Sequence, residues 1–402
     1  MKRALPLLLA VSMAIGLLGG CGSAGGGTSS ISPEESGAIS QAPETGNEES
    51  ESLKLAVIAA VTGTSASDGA SMANAVQMAA EEINARGGIL GRELTIDIID
   101  GGSTADSALN VAQKIASSDE YVTVFGPHFS SQILAIGDTL AEGGIPVITG
   151  GTVKTVLETV TSEWVIRNRC PDTVVANAAA KFMDETMGVK KVGFICANDD
   201  FGTGARLVAQ EYFDSVGIEY VSESFNVDDN DVTSQLLKLK DAGVDSLFVW
   251  SLGSVFATVV RQIAELGMND LPVMASSALT FPDIQALLKP EYTENWYVNT
   301  HWSPTMTDDA SVAFTEGYAE RYDIEPNMLA AAWYSTTYWL ADCLERAGTS
   351  EPNALLAAMQ ATEDFDTLSG TFTYEDRDLI RDVTILQQID GEFVFCQIVH
   401  GE

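Results

Sequence analysis

The sequence predicts an α/β protein built from two doubly wound lobes. Short continuous apolar runs, such as residues 54–61 (KLAVIAAV) and 245–250 (DSLFVW), are typical of strands buried in a parallel sheet. Segments with helical periodicity alternate with these runs, and the alternation starts again after Cys170. The chain of 402 residues is also long enough for two domains of ordinary size. Two successive βα series indicate two lobes, and the carboxyl ends of their strands can face one another across a ligand cleft.

The first 20 residues are expected to be a signal peptide. Lys2 and Arg3 precede an apolar run over residues 4–18, which is short for a membrane span and normal for the core of a signal peptide. The run ends in LGGC, with the cysteine at Cys21, and this resembles a bacterial lipobox. A plain secretory signal with a chance cysteine is the alternative. The lipobox interpretation predicts that Cys21 is lipidated and begins the mature protein.

Residues 21–53 are expected to be this lipidated cysteine and a disordered tether. The segment consists mostly of Gly, Ser, Glu, Pro and Thr without apolar periodicity, so it cannot bury enough surface to fold. A flexible coil of this length spans roughly 30 Å, which would hold a folded body away from a membrane. We therefore expect an extracytoplasmic protein that is lipid-anchored to the cell membrane.

The remaining elements follow from the spacing of apolar residues, with short runs as strands and longer periodic stretches as helices. In the first series, strands are predicted at residues 54–61, 93–100, 121–125 and 145–148, and helices at 69–85, 105–117 and 130–142. In the second series, helices are predicted at residues 173–187, 204–216, 232–242 and 255–266, and strands at 191–196, 218–223, 245–250 and 271–275. The final third is expected to complete both lobes with a long helix at residues 329–347 and strands at 383–389 and 393–399.

The charge balance excludes one large class of function. Acidic residues number 57 against 21 basic ones, which gives a net charge of −36 and a pI near 4.1. Nucleic-acid affinity comes largely from Lys and Arg, so we expect no nucleic-acid partner. The same charge disfavours direct adsorption to anionic lipid, and otherwise a negative surface mainly keeps a protein soluble.

The reactive residue types are sparse, so we expect no metal site, no cofactor and no enzymatic activity. Cys170, Cys196, Cys343 and Cys396 form no CxxC pair, and the three histidines are scattered. We expect structural thiols, with a disulfide as the alternative. The sequence contains neither a Ser–His–Asp order with sensible spacing nor a phosphate-binding GxxxxGK(S/T) loop.

A series of segments in the right order resembles the branched-chain amino-acid-binding (Leu/Ile/Val-type) proteins, which are substrate-binding proteins of ABC transporters with the type I periplasmic binding protein fold. The segments are Gly63 and Gly69, residues 79–91 (AAEEINARGGILG), 126–131 (GPHFSS), 145–152 (IPVITGGT), Arg167 with Asp172, residues 199–204 (DDFGTG), and Arg261-Gln262 with Leu266-Gly267. The resemblance extends from residue 54 to the C-terminus.

This resemblance implies an uptake receptor that closes around an amino acid or similar small ligand and docks on the membrane subunits of an ABC permease. It implies three crossovers between the lobes, near residues 171, 301 and 380. Lobe 1 would then comprise residues 54–171 and 302–380, and lobe 2 residues 172–301 and 381–402. We expect a monomer. A sensory module that reports to a membrane signalling partner is the alternative function.

Four candidate ligand-binding residues follow strands of the first series. Ser130 begins a predicted helix, where its hydroxyl and free backbone N–H groups form an anion site, and the resemblance places the family's carboxylate-binding serine there. A helix N-cap is the alternative role. Gly151 and Thr152 end the next strand, where glycine permits a close backbone approach and threonine offers a hydroxyl, with a plain turn as the alternative. Phe129, which stands at a half-cystine position of the family, is included in the expected site.

Three further candidates belong to the second series. Asp172 matches a family aspartate at the lobe junction, where a carboxylate would pair with a ligand ammonium, and an N-cap is the alternative. Phe201 matches an aromatic position that stacks on the ligand, with core packing as the alternative. Trp250 ends a predicted strand and is either an aromatic wall of the cleft or part of the core.

Two positions depart from the family pattern. Ser277 stands at the position of the family's ammonium-binding glutamate, and Asp68 stands near its aromatic residue in the first loop. Either Asp68 or Asp172 therefore binds the positive group, or the ligand is not a branched-chain amino acid. We include both Asp68 and Ser277 in the expected site.

Overall fold

Two large sheets organise residues 52–380 and 382–399, which are the residues that the computed structural model describes. The expected signal peptide, Cys21 and nearly all of the tether lie outside the described residues. Leu53, which the sequence placed at the end of the tether, is instead the buried first residue of a strand.

The first lobe opens the described chain. Its elements are β1 (Leu53–Ala59), α1 (Ala66–Ala85), β2 (Leu94–Asp100), α2 (Ala105–Ala116), β3 (Thr123–Phe125), α3 (Ser130–Ala141), β4 (Val147–Thr149), α4 (Thr155–Thr159) and β5 (Val165–Arg167). The five strands are parallel and lie in the order β2-β1-β3-β4-β5.

Helices cover both faces of this sheet. Leu55 and Val57 of β1 pack into one apolar core, which also contains residues of α1. Ala56 and Ile58, which point to the opposite face, pack into a second core with residues of α2 and α3. A strand that is buried on both faces needs the continuous apolar run that predicted it.

The second lobe repeats the pattern. Its elements are α5 (Asp172–Phe182) with a π-helical turn at Met183–Met187, β6 (Lys191–Ala197), α6 (Asp200–Val216), β7 (Glu219–Phe225), α7 (Thr233–Asp241), β8 (Ser246–Trp250), α8 (Val255–Glu265), β9 (Val273–Ala275), a 3₁₀ turn at Ser277–Thr280, α9 (Pro282–Gln285), a 3₁₀ turn at Pro290–Tyr292 and β10 (Tyr297–Thr300). These strands are parallel in the order β7-β6-β8-β9-β10, which is the strand order of the first lobe.

The rest of the chain returns to both lobes. It forms α10 (Asp309–Tyr322), α11 (Met328–Ala347), α12 (Pro352–Gln360), β11 (Phe365–Thr367), β12 (Gly370–Glu375), β13 (Asp378–Ile380), β14 (Val383–Ile389) and β15 (Glu392–Val399). Helix α11 packs against α1, and the hydroxyls of Tyr334 and Tyr338 donate to Glu82 Oε2 at 2.6 and 2.5 Å. Strands β14 and β15 extend the second sheet by antiparallel pairing with β10.

The chain therefore crosses between the lobes between β5 and α5, after β10, and between β13 and β14. These points lie near the crossovers that the family resemblance implied. The fold is a pair of doubly wound α/β lobes with a cleft between them, as the sequence predicted. None of the described helices is both long and apolar enough to cross a membrane.

A small antiparallel sheet formed by β11, β12 and β13 was not predicted. Arg377, in the turn before β13, donates from Nη1 to the carbonyl oxygens of Val160 at 2.7 Å and Ser162 at 3.1 Å, and from Nη2 to that of Leu157 at 2.8 Å. The buried Arg167 Nε lies 3.2 Å from Asp378 Oδ1. These polar contacts hold the small sheet on the first lobe.

Cys196 and Cys343 are buried thiols, and burial raises the pKa of both. Cys170 is also buried, and Cys396 is half-buried on β15. All four are thiols in the structure, which agrees with the expectation of structural thiols rather than the disulfide alternative.

Candidate functional site

A cavity of about 70 Å³ lies between the two lobes. Its first-lobe lining comes from the loops after β1, β2 and β3, and its second-lobe lining from the segments after β6, β7 and β8. The lining residues are Thr64, Ser65, Ser103, Phe129, Ser130, Ser131, Asp199, Phe201, Val227, Leu252, Gly253 and Ser254. Ligands of sheets with this strand order bind outside the carboxyl ends, where the order reverses between the first and third strands. The cavity lies at this position in both lobes, because its lining residues follow the carboxyl ends of strands from each of them.

The N-terminus of α3 forms one wall of the cavity. Ser130 Oγ accepts hydrogen bonds from the backbone N–H groups of Thr152 at 3.1 Å and Val153 at 3.3 Å. The N-cap residue is Phe129, whose side chain makes no cap hydrogen bond, so the alternative role of Ser130 as the N-cap is wrong. The Ser130 hydroxyl proton and the first N–H groups of α3 are consequently placed to donate to an anionic or carbonyl group.

Gly151 and Thr152 lie directly behind Ser130. A Cβ atom on Gly151 would lie 2.7 Å from Ile133 Cγ2 and 3.1 Å from Ser130 Cα, so only glycine allows this approach. The Thr152 carbonyl accepts from the Asp172 backbone N–H at 2.8 Å, which ties this loop to the start of α5. The Thr152 hydroxyl is buried, and its Oγ1 has no hydrogen-bond partner.

Asp172 is a buried carboxyl whose Oδ2 also lacks a hydrogen-bond partner. It is the first residue of α5, with Pro171 at the N-cap, so the N-cap alternative for Asp172 is wrong. Burial raises the pKa of Asp172 to about 6, although the nearby Thr152 hydroxyl and the guanidinium groups of Arg167 and Arg169 act in the opposite direction. The carboxyl faces α6 of the second lobe, since a Cβ atom on Gly204 would lie 3.5 Å from Asp172 Oδ2.

Phe201 and Trp250 form an aromatic group in the second lobe. Phe201 lines the cavity, and its ring centroid lies 6.2 Å from that of Trp250. Trp250 is 1% exposed, does not line the cavity, and stacks on Phe248 with the centroids 4.7 Å apart. The expectation that Trp250 is a cleft wall is therefore corrected, because the β8 backbone directs its ring into the core behind Phe201.

Asp68 and Ser277 are buried rather than part of the cavity lining. Asp68 lies in the first turn of α1, one helical turn after Ser65. Ser277 begins the 3₁₀ turn after β9, and its carbonyl accepts from the Thr280 hydroxyl at 2.8 Å. Of the nine expected ligand-binding residues, the structure thus brings Phe129, Ser130 and Phe201 to the cavity surface.

Several of the lining residues were not predicted from the sequence. Asp199 caps α6 by accepting from the Gly202 N–H at 2.7 Å, and burial raises its pKa. Gly253 has a φ of +74°, and a Cβ atom there would lie 3.2 Å from Ser65 Oγ of the other lobe. Their positions could have indicated them, since Asp199 follows the first strand and Gly253 the third strand of the second βα series.

Within residues 52–380 and 382–399, no group of three His, Cys, Asp or Glu side chains is placed to hold a metal ion.

Two α/β lobes with a polar cavity at their facing strand ends define a class of cleft-type ligand-binding proteins. Residues 52–392 match the family model described as "Periplasmic binding protein", and the chain belongs to this family. The members of this family are binding proteins, and membership implies an extracytoplasmic location.

Curated relatives match over most of their length. The Leu/Ile/Val-binding protein BraC3 of Rhizobium johnstonii is 24% identical over 324 residues, which cover 80% of this chain and 87% of the relative. The leucine-, isoleucine-, valine-, threonine-, and alanine-binding protein of Pseudomonas aeruginosa is 23% identical over 328 residues, which cover 81% and 87%.

Solved structures share the fold. A leucine-binding protein LivK from Thermotoga maritima superposes with a TM-score of 0.79 at 24% identity, covering 87% of this chain and 99% of that chain. A solute-binding protein of an ABC transporter from Rhodopseudomonas palustris, in complex with 3,4-dihydroxybenzoic acid, has a TM-score of 0.80 at 19% identity and covers 87% and 98%.

Proposed function

We propose that this protein is an extracytoplasmic solute-binding lipoprotein that captures an amino acid or a related small polar ligand and delivers it to an ABC permease. The observation that carries the proposal is a pair of buried atoms close to Ser130, Thr152 Oγ1 and Asp172 Oδ2. Neither atom has a hydrogen-bond partner. A buried polar group without a partner costs about 1–3 kcal/mol, and such groups in native proteins need an explanation. A polar ligand in the cleft supplies the missing partners.

An amino acid satisfies these groups in one orientation. Its carboxylate would accept from the Ser130 hydroxyl and the first N–H groups of α3, where the helix dipole favours negative charge. Its ammonium would donate to Asp172 Oδ2 and Thr152 Oγ1. Its side chain would lie against the ring of Phe201, with Phe129, Val227 and Leu252 as further apolar walls.

Binding in this orientation draws the lobes together. Ser130 and Thr152 belong to lobe 1, which we propose spans residues 54–171 and 302–380. Phe201 and Leu252 belong to lobe 2, proposed as residues 172–301 and 381–402. A ligand shifts an opening equilibrium only by its difference in affinity for the two states, so contacts from both lobes are what favour closure.

Two observations bear on the chemistry of the ligand's side chain. The relatives are named for aliphatic and small amino acids, whereas one structural neighbour holds an aromatic acid. Serine in place of the family's ammonium-binding glutamate at Ser277 also supports a ligand other than a branched-chain amino acid. A ligand screen therefore needs amino acids, amides and small organic acids together.

The same proposal includes a lipid anchor at Cys21, the membrane subunits of an ABC permease as partners, and a monomeric body without enzymatic activity. Cys21 lies outside the described residues, so the lipobox sequence is its support. A Cys21→Ala variant should move from the membrane fraction to the soluble fraction. Retention of the variant in membranes after a high-salt wash would contradict the anchor and leave the binding site untouched.

A thermal-shift screen tests the binding function directly. A ligand that binds only the folded protein stabilises it by about 2.7 kcal/mol when its concentration is a hundredfold above Kd. We expect at least one amino acid to raise the melting temperature of the wild type, and to raise that of a Ser130→Ala, Asp172→Asn double variant much less. Equal shifts in both proteins, or no shift with any compound in the panel, would overturn the proposed site.

A further inference from the structure

Asp199 is the one acidic side chain among the described residues that line the cavity, and the ligand contacts proposed above do not use it. It is the N-cap of α6, where its Oδ1 accepts from the Gly202 N–H at 2.7 Å. Over the part of the chain that the structure describes, no other side chain donates to this carboxyl and no basic side chain pairs with it. Asp199 Oδ2 is therefore available to a hydrogen-bond donor of a ligand.

Asp199 and Phe201 line the cavity from the same short segment. Asp199 precedes the first residue of α6, and Phe201 lies in the first turn of this helix. The side chain of an amino acid that lies against the Phe201 ring therefore also approaches Asp199. Burial raises the pKa of Asp199, since its charged form has lost part of its contact with water. A carboxylate in such a place is stabilised by a donor that replaces the lost water.

Hydroxyl groups supply most of the other polar lining, and they come from both lobes. They belong to Thr64, Ser65, Ser103, Ser130, Ser131 and Ser254. The Ser103 hydroxyl is already engaged, because it donates to the Thr62 carbonyl oxygen at 3.1 Å and accepts from the Ser65 N–H at 3.3 Å. The hydroxyls of Ser65, Ser131 and Ser254 make no hydrogen bond within residues 52–380 and 382–399. Each of these three can donate to a polar atom of a ligand.

The volume of the cavity limits the size of the ligand. A buried water molecule needs about 10–15 Å³ of such space. The 70 Å³ between the lobes therefore holds roughly five to seven groups of this size. A small amino acid such as serine or threonine suits this volume, whereas the long side chains of lysine and arginine need more room.

We infer that Asp199 determines the specificity of the cleft, so that the preferred ligands are small amino acids with a side-chain hydroxyl, such as serine and threonine. The inference rests on the proposed function, since it needs an amino acid held by Ser130 and Asp172. The ligand hydroxyl donates to Asp199 Oδ2 and accepts from a serine hydroxyl of the cavity wall. An aliphatic side chain of the same size leaves the carboxylate without a donor, and a site of this kind discriminates against such an analogue.

Isothermal titration with isosteric ligand pairs tests the inference. Threonine and valine have nearly the same shape, as do serine and 2-aminobutyrate, and within each pair a hydroxyl replaces a methyl group. We expect the wild type to bind the hydroxyl member of each pair about tenfold or more tighter than its aliphatic partner. Lysine should bind more weakly than serine.

Two variants of Asp199 keep the helix cap while they change the carboxylate. Serine and asparagine are both favoured N-cap residues, so α6 retains its start. Asp199→Ser should bring the threonine-to-valine ratio close to one and leave the affinity for valine as in the wild type. Asp199→Asn should reduce the ratio. Asp200→Ser, which removes the neighbouring exposed carboxylate outside the cavity lining, is the matched control and should keep the wild-type ratio.

The outcomes separate this inference from the proposed function. Equal affinity of the wild type for threonine and valine, or a preference that survives Asp199→Ser, would overturn the role of Asp199 and leave amino-acid binding intact. Tighter binding of lysine than of serine would mean that the carboxylate pairs with a cation, which would also overturn the hydroxyl specificity. Failure of every amino acid to bind would overturn the proposed function with it.

Discussion

The Ser130 hydroxyl accepts the backbone N–H of Thr152 across 3.1 Å, and this bond joins the loops that follow β3 and β4. Because the oxygen is used as an acceptor, the orientation of the hydroxyl proton is left to a second partner in the cleft. The side chain therefore fixes the shape of the loop, and we propose that it also binds the ligand. The contribution of Ser130 to binding can be measured separately from that of Phe201, which lines the cavity from the other lobe.

Replacement of Ser130 by alanine should weaken ligand binding by about 1.5–3 kcal/mol, the usual value of a hydrogen bond to a charged group. Isothermal titration with the best ligand from the screen measures the change. Ser117→Ala, at the exposed end of α2, is the matched control and should bind as the wild type does. An unchanged Kd for Ser130→Ala would remove Ser130 from the site.

Replacement of Phe201 by alanine should impair closure more than first contact. The ring lines the cavity from lobe 2, whereas the proposed polar contacts begin in lobe 1. Small-angle scattering should show that the wild type becomes more compact with ligand and that Phe201→Ala does so much less. Tyr220→Ala, on β7 of the same lobe, controls for general loss of aromatic packing. Full compaction of the Phe201 variant would contradict the division of contacts between the lobes.

Asp172 should make stability and binding depend on pH in opposite ways. Its folded pKa of about 6 lies above the usual 3.8, so ionisation costs the unliganded wild type stability as pH rises from about 4 to about 6. Chemical denaturation at several pH values should therefore show that Asp172→Asn gains stability relative to the wild type across this window, and that the difference is constant at higher pH.

The affinity of the wild type for an amino acid should rise over the same range, because only the carboxylate form pairs with an ammonium. The Asp172→Asn variant should lose this rise. A stability difference that does not vary with pH would mean that Asp172 is not a buried, unpaired carboxyl in the free protein.

Arg377 should be a stability residue rather than a binding residue. Its three hydrogen bonds to the carbonyl oxygens of Leu157, Val160 and Ser162 hold the small sheet on lobe 1. Arg377→Ala should lower the free energy of unfolding by about 1.5–3 kcal/mol, since it leaves these acceptors without their charged donor. Arg261→Ala, an exposed residue of α8, should have little effect in the same urea titration. Comparable losses in both variants would refute the role of Arg377.

The sequence predicted the elements that depend on apolar patterning. The central strands β1, β6 and β8 were found because burial on both faces requires a continuous apolar run, and α11 because its apolar positions are numerous. Strand β10 (YVNT) was missed because it is short and half polar, and β11–β13 because their exposed faces break the alternation. Helix α6 begins at Asp200, earlier than predicted, because Asp199 provides its cap.

The candidate site was predicted in part. Resemblance located Ser130, Phe129 and Phe201, which reach the cavity. Leu252 and Gly253 could not be predicted from their side-chain chemistry, because neither carries a reactive group. They line the cavity because the fold places them there. The burial of Asp172 and Asp68 follows from the packing of the folded chain, which the spacing of residues along the sequence does not encode.

We propose that a small polar ligand binds between the lobes at the carboxyl ends of their strands. A crystal structure of the protein with the ligand that gives the largest melting shift tests it most directly. We expect the carboxylate of the ligand to lie against Ser130, its ammonium against Asp172 Oδ2, and its side chain beside Phe201. Ligand density at another place, such as the groove formed by Lys54, Arg92 and Tyr121 on the first lobe, with nothing between the lobes, would contradict it.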